Sequence, residues 1–414
     1  MLTSEYSNII YKERKDYMTE QLMLSIIILF SFSFLNPFLA LFPLSLFAIY
    51  FPLPKFPFFI TASISFAIFF YHRKYDVAWA ESTDDVPTYV LFYFSNKSLA
   101  FKDLFIRFIS MPGNNEPLWH FPFWVLLNVF NASENTFIFI HYLLIFLLLI
   151  GTLITMSPKY FIILLLGYFF LTPVSIDSIF HIWRQQLAST LFLLGSYVYL
   201  IKHKKQGLIL IYISVFVHLV CLYFLGIFLF FNFLRKRNMI KKNTIFFIYA
   251  LLISLSFFLL FNVALNFLAS LNLDRVLMYG EDSSGFDIRL LIVLSIFIVS
   301  VAFMHIRYGN DFFNMLIVFI SFVTIINSFL LPFASSIFGR LAYFTIPLIG
   351  IYFLRSFLKN LSQKWIPLLV LLIFFSGLMR IIVIINNGRA SAQFLSFEHP
   401  LDPFMGLVKM IFFL

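Results

Sequence analysis

The cations of this chain fall into short clusters, and the clusters alternate with long apolar runs. Lys202-His203-Lys204-Lys205 closes one such run, and Arg235-Lys236-Arg237 with Lys241-Lys242 closes the next. An ionised side chain at the middle of a membrane helix costs roughly 2.5–3.5 kcal/mol, and cytoplasmic loops collect the Lys and Arg. A chain patterned this way reads as a polytopic membrane protein whose sidedness follows from its basic loops. Hydrophobic residues fill 61% of the 414 positions, with 61 Phe, while charged residues make up 12%, too few to cover a soluble surface of that size. No polar stretch is long enough to form a separate globular domain. The expectation is one all-α transmembrane domain over residues 1–414. The net charge of +10 is what positive-inside loops produce, so nucleic acid is not expected as a partner.

A hydrocarbon core of ~30 Å takes about 20 helical residues, which gives roughly 11–13 crossings here. Lys12, Arg14 and Lys15 precede the first apolar run, set the N-terminus in the cytoplasm and make that run an uncleaved signal anchor. Residues 22–52, broken at Asn36-Pro37, read as a tight pair of short helices. Crossings are expected at 57–72, 136–156, 159–174 and 183–201. Residues 73–133 form the first large periplasmic loop, and its aromatic part, 117–131, is expected in the interface as an amphipathic or re-entrant piece.

The stretch 207–234 is unusual because both its flanks are strongly basic. The chain must therefore leave and return, yet the stretch spans only ~42 Å as one helix. Two short helices with a bend near His218 resolve this, with His218 at the apex near the outer face. Irregular backbone at that depth survives only where protein buries it or water reaches it. Beyond it, crossings are expected at 244–268, 290–306, 312–331, 341–358 and 365–386. The second periplasmic loop is 269–289, a short outer loop covers 332–340, and the tail 387–414 lies outside.

With sidedness set, charges near the outer face become the functional candidates. Arg184, in Ile182-Trp183-Arg184-Gln185-Gln186, opens an apolar helix at its outer end, and Arg340, in Phe338-Gly339-Arg340-Leu341, repeats that situation. A guanidinium there either snorkels to the interface or grips a phosphate or carboxylate with its planar fork. Two such arginines could share one diphosphate. His218, in Val217-His218-Leu219, is a satisfied structural group or a substrate-binding or proton-transfer residue. Asp84, Asp85, Tyr89 and Glu116 lie in the first outer loop as solvated side chains or as a general base and sugar ligands. Asp274, Arg275, Glu281, Asp282, Asp287 and Arg289 crowd the second outer loop, and Arg380 lies near the outer end of the last crossing. The sequence has no Gly-rich phosphate loop, no metal-ligand cluster and a single cysteine, Cys221. Neither metal nor cofactor is expected.

Four motifs in order resemble the EpsG/Wzy family of bacterial polysaccharide polymerases. Trp183-Arg184-Gln185-Gln186-Leu187-Ala188 is followed about thirty residues later by Phe216-Val217-His218. Thr83-Asp84-Asp85 with Tyr89 is similar to the family's Gly-Thr-Asp-Tyr stretch, although Ser82 stands where Gly is usual. Glu116-Pro117 precedes an aromatic segment, and Gly339-Arg340-Leu341-Ala342-Tyr343-Phe344 resembles the family's late Arg-Leu-x-Tyr-Phe element.

The resemblance implies a multi-pass protein of the bacterial inner membrane, acting on oligosaccharide repeat units carried by undecaprenyl diphosphate. The growing glycan would leave its carrier at the periplasmic face and join the next unit, giving O-antigen or a related surface polysaccharide. Membrane lipid, a chain-length regulator and a flippase are the implied partners. Arg184 and Arg340 would hold the diphosphate, with Gln185, Arg289, Glu116 and Tyr89 contributing to the substrate site. Either His218 or a first-loop acid, Asp84 first, would activate the acceptor hydroxyl. Two other classes compete. A flippase for lipid-linked oligosaccharides would need alternating access and charges in both halves. A membrane acyltransferase would use a His as base.

Overall fold

The computed structural model describes residues 19–32, 37–71, 117–171, 183–239, 243–270, 311–330 and 335–386, with Ile179 and isolated positions between 90 and 106. All regular structure among the described residues is helical. In chain order the helices are α1 (Thr19–Phe32), α2 (Pro37–Tyr50), α3 (Lys55–Tyr71), α4 (Pro117–Asn128), α5 (Glu134–Met156), α6 (Phe161–Phe170) and α7 (Trp183–Leu200). They continue as α8 (Gln206–Val217), α9 (Val220–Lys236), α10 (Asn243–Ser270), α11 (Phe312–Leu330), α12 (Ser335–Asn360) and α13 (Ile366–Asn386).

The breaks follow the sequence chemistry. Proline is tolerated at the first position of a helix, where its missing N–H would have no partner anyway. Helix α2 accordingly starts at Pro37, and α3 starts just after Pro54. Helix α6 is shorter than the crossing expected at 159–174, because Ser157-Pro158 forms the turn before it and the helix ends at Phe170, ahead of Pro173. One described helix, α5, is long and apolar enough to cross a membrane by length and composition. At 23 residues it is ~35 Å long. The breaks near Pro37, Pro54 and His218 cut neighbouring apolar runs into shorter pieces, so helix length by itself does not give the expected 11–13 crossings.

The chain divides into two compact units, Met1–Tyr75 with Ile138–Leu166 and Ser362–Leu414, and Asp76–Phe137 with Gly167–Leu361. The first is held by phenylalanine packing. Phe32 meets Phe58 edge to face at 5.4 Å, Phe66 stacks on Phe146 at 5.1 Å, and Phe42 stacks on Phe374 at 4.1 Å. Each such pair adds about 0.5–1.5 kcal/mol beyond the area it buries. Apolar side chains also cover the outside: Leu22 and Phe30 of α1 are 63% and 62% exposed.

The second unit carries the candidate site, and its ring contacts fix the direction of each helix. Phe192 of α7 lies 6.0 Å from Phe224 of α9 and 5.7 Å from Phe344 of α12, and Phe224 stacks on Phe344 at 3.8 Å. Further along α7, Tyr199 meets Phe228 and Asn232 of α9, and Tyr197 lies beneath Arg355 of α12. Helices α7, α9 and α12 therefore run the same way. Helix α8 runs against α7, with Gly195 packed on Gly207 and Ile211, and Gly207 on Tyr199. A Cβ at Gly195 would stand 2.6 Å from the Gly207 carbonyl oxygen, so both glycines are needed for this approach. Helix α11 also runs against α9, since Phe313 meets Tyr197, Phe319 meets Phe231 and Asn327 bonds Tyr223. Among these helices, α7, α9 and α12 thus run one way and α8 and α11 the other.

Candidate functional site

One end of the second unit gathers the cations. The Arg355 guanidinium donates to Asp311 Oδ2 at 2.9 Å and to Asn314 Oδ1 at 2.7 Å, and lies over the Tyr197 and Phe313 rings. Asp311 also caps α11, accepting from the Asn314 N–H at 2.9 Å. Arg235 donates to Asn232 Oδ1 at 2.8 Å and lies over Tyr199 and Phe312. Lys202 lies over the Tyr197 ring as well. The basic flanks of residues 207–234 thus meet the same end of α7, as they must if the chain goes out and returns.

The reversal occurs at His218. Helix α8 stops at Val217, His218 has extended backbone at φ −152° and ψ 121°, and α9 starts at Val220. The His218 N–H still donates to the Ser214 carbonyl, and His218 Nδ1 accepts from the Val220 N–H at 3.1 Å. That N–H is one of the first-turn groups a helix leaves without an internal partner. An imidazole accepting at Nδ1 is neutral with its proton on Nε2. In this geometry His218 can donate at Nε2.

Helix register sets where the other candidates stand. The Phe192, Phe224 and Phe344 rings mark one level across α7, α9 and α12. Arg184 precedes Phe192 by about 12 Å along its axis, and Arg340 precedes Phe344 by about 6 Å. His218 precedes Phe224 at the start of α9. The three share the end opposite the cation cluster. Arg184 is half-buried on the first turn of α7, between buried Trp183 and Gln185. Neither α7 nor α12 has an acidic residue in its first turn. Two helix N-termini, each with the positive end of its dipole and an arginine within two turns, make a setting suited to an anion. Arg340 lies on the α12 backbone, with its side chain outside the described ones. Asp84, Asp85, Tyr89, Glu116 and Arg289 lie outside the described residues, as do residues 274–287 of the second loop. Arg380 falls on α13, in the first unit.

Two polar groups were not singled out by sequence. Gln186 Nε2 donates to the Tyr168 hydroxyl at 2.6 Å and to Thr190 Oγ1 at 3.3 Å, tying the first turn of α7 to α6 beside Arg184. Asn327 on α11 is buried and donates to the Tyr223 hydroxyl at 2.9 Å. The available signal for Asn327 was an amide inside the apolar run Val323-Thr324-Ile325-Ile326-Asn327, since polar groups in such runs mark sites by default.

The described residues build a helical architecture with arginine-bearing helix ends and a broken hairpin. The chain belongs to the EpsG family, whose model matches residues 58–399 and so takes in every candidate named above. Membership associates the chain with the membrane and with polysaccharide biosynthesis in a polymerase-like, glycosyl-transferring role. No curated protein and no solved structure matches it.

Proposed function

We propose that the protein is a multi-pass polymerase of the bacterial inner membrane. It would join undecaprenyl-diphosphate-linked repeat units into O-antigen or a related surface polysaccharide on the periplasmic side. The observation that carries this reading is the polarity of the second unit. Cations held by rings, amides and Asp311 mark one end, and the positive-inside bias makes that end cytoplasmic. Arg184, His218 and Arg340 then belong to the periplasmic end. Helices α10, α12 and α13, at 28, 26 and 21 residues, are each long enough for a ~30 Å core.

The chemistry is glycosyl transfer. A hydroxyl of the next repeat unit attacks the anomeric carbon of the growing glycan. The new C–O bond forms as the bond to the carrier diphosphate breaks, and the diphosphate leaves with the electron pair. The hydroxyl proton passes to a carboxylate of the first loop, Asp84 first. Charge accumulates on the departing phosphate oxygens, where Arg184, Arg340 and the His218 Nε2–H would stabilise it. Fixed donors act most strongly in a site that excludes water. The donor geometry of His218 favours this role over that of base.

Polymer length in cells carrying Arg184→Ala, Arg184→Lys or Arg340→Ala tests the reading. Carriers capped with one repeat unit should accumulate outside in the alanine variants. Full-length chains in all three at normal protein levels would end it. Repeat units accumulating on the cytoplasmic face would identify a flippase instead.

A further inference from the structure

The Tyr223–Asn327 pair is a polar contact without a completed partner set. Asn327 is 1% exposed, and among the described residues its Oδ1 has no hydrogen-bond partner, while its Nδ2 donates to Tyr223. Turning the amide over exchanges the free end for the other and does not remove it. A buried amide left half-satisfied costs about 1–3 kcal/mol, so it calls for a ligand or a water. The Tyr223 hydroxyl also meets Thr324, and its half-buried ring lies 4.8 Å from Phe257. The pair stands one residue from the Phe224 level, about 7 Å along α9 from His218. It lies deeper than the candidate anion-binding end and on the same side of the cation cluster.

We propose that Asn327 and Tyr223 form a subsite for a sugar hydroxyl at the floor of the polymerase site. The hydroxyl donates to Asn327 Oδ1, and the Tyr223 and Phe257 rings offer an apolar surface to the C–H face of a pyranose. Oδ1 accepts and does not donate, so it selects a hydroxyl or an amide N–H and disfavours a phosphate oxygen. The anion and the sugar are thus read at separate depths, the first by arginines and the second by a neutral amide. This rests on the polymerase reading above.

The test uses full-length protein in lipid vesicles, supplied with capped lipid carriers extracted from cells lacking it, and records polymer formed against carrier concentration. Asn327→Leu is expected to raise the half-saturating concentration about tenfold, with the maximal rate within about threefold of wild type. Its melting temperature should stay equal or rise, because the substitution removes a half-satisfied buried amide. Tyr223→Phe should give a smaller rise, about threefold, by releasing the amide that its hydroxyl orients. An unchanged half-saturating concentration in Asn327→Leu overturns the subsite and leaves a water as the only occupant. Should Asn327→Leu fail to fold, Asn327→Ser and Tyr223→Phe carry the same readout, and unchanged values in both overturn the subsite. If the wild-type protein does not polymerise these carriers at all, the polymerase reading and the subsite fall together.

Discussion

Arg355 and Arg184 are the same residue type at opposite ends of one helical unit, and almost everything around them differs. Arg355 lies in the last two turns of α12, where the helix dipole favours a cation, and it is held by Asp311, Asn314 and two aromatic rings. Arg184 lies in the first turn of α7, where the dipole opposes a cation, in a turn with no acidic residue. A guanidinium placed against a dipole is disfavoured by about 0.3–1 kcal/mol at an exposed site. One end of the unit uses arginine to fasten helices together. The other places an arginine where the helix dipole itself does not favour a cation.

Arg184→Ala should lower polymer synthesis by about a hundredfold, the loss typical of removing one fixed donor from a developing oxyanion. Its melting temperature should stay level or rise slightly, since a cation is removed from a helix N-terminus. Arg184→Lys should recover only part of the rate, because an ammonium lacks the planar fork. A fall in melting temperature that accounts for the lost activity would make Arg184 a fastening residue like Arg355, and the contrast between the two ends would disappear.

At the other end the expected pattern inverts. The side chains of Arg355 and Asp311 are 14% and 22% exposed, so their pair is neither fully desolvated nor freely solvated. Arg355→Leu leaves Asp311 and Asn314 facing an apolar group and should cost about 2 kcal/mol of stability. Arg355→Leu combined with Asp311→Asn should cost less, since no charge is stranded. Activity per folded molecule should hold in both. Thermal unfolding in detergent, set beside polymerisation rate, separates the effects, and a rate loss without a stability loss would assign Arg355 to the reaction.

Much of this arrangement was legible in the sequence because it is written in charge and in chain-breaking residues. The clusters Lys202–Lys205 and Arg235–Lys242 demanded a reversal between them, and a reversal in so short a stretch demanded a break, which falls at His218. Pro37, Pro54 and Pro173 likewise mark where helices start or stop. What could not be read was lateral packing. Nothing local in the chain says that Gly195 meets Gly207, or that Asp311 pairs with Arg355 from 44 positions away. Asn327 was passed over for the same reason. Its partner Tyr223 is 104 positions away, and a neutral amide carries no charge to mark it in the sequence.

His218 gives the smallest expected effect and the finest division between the two kinds of role. Its Nδ1 bond to the Val220 N–H is a capping contact, and losing such a contact costs about 1 kcal/mol, so His218→Ala should lower stability by that amount. Asparagine at 218 is well suited to keep the contact, because an Asn side chain readily accepts from the N–H two residues on. His218→Asn should therefore restore the melting temperature of the wild type. It presents no Nε2–H toward the site, so polymer synthesis should remain low if that proton reaches the departing phosphate. Wild-type polymer length in His218→Asn would show that the imidazole serves only to turn the chain, and the work at that end would then pass to the arginines and the first-loop acids alone.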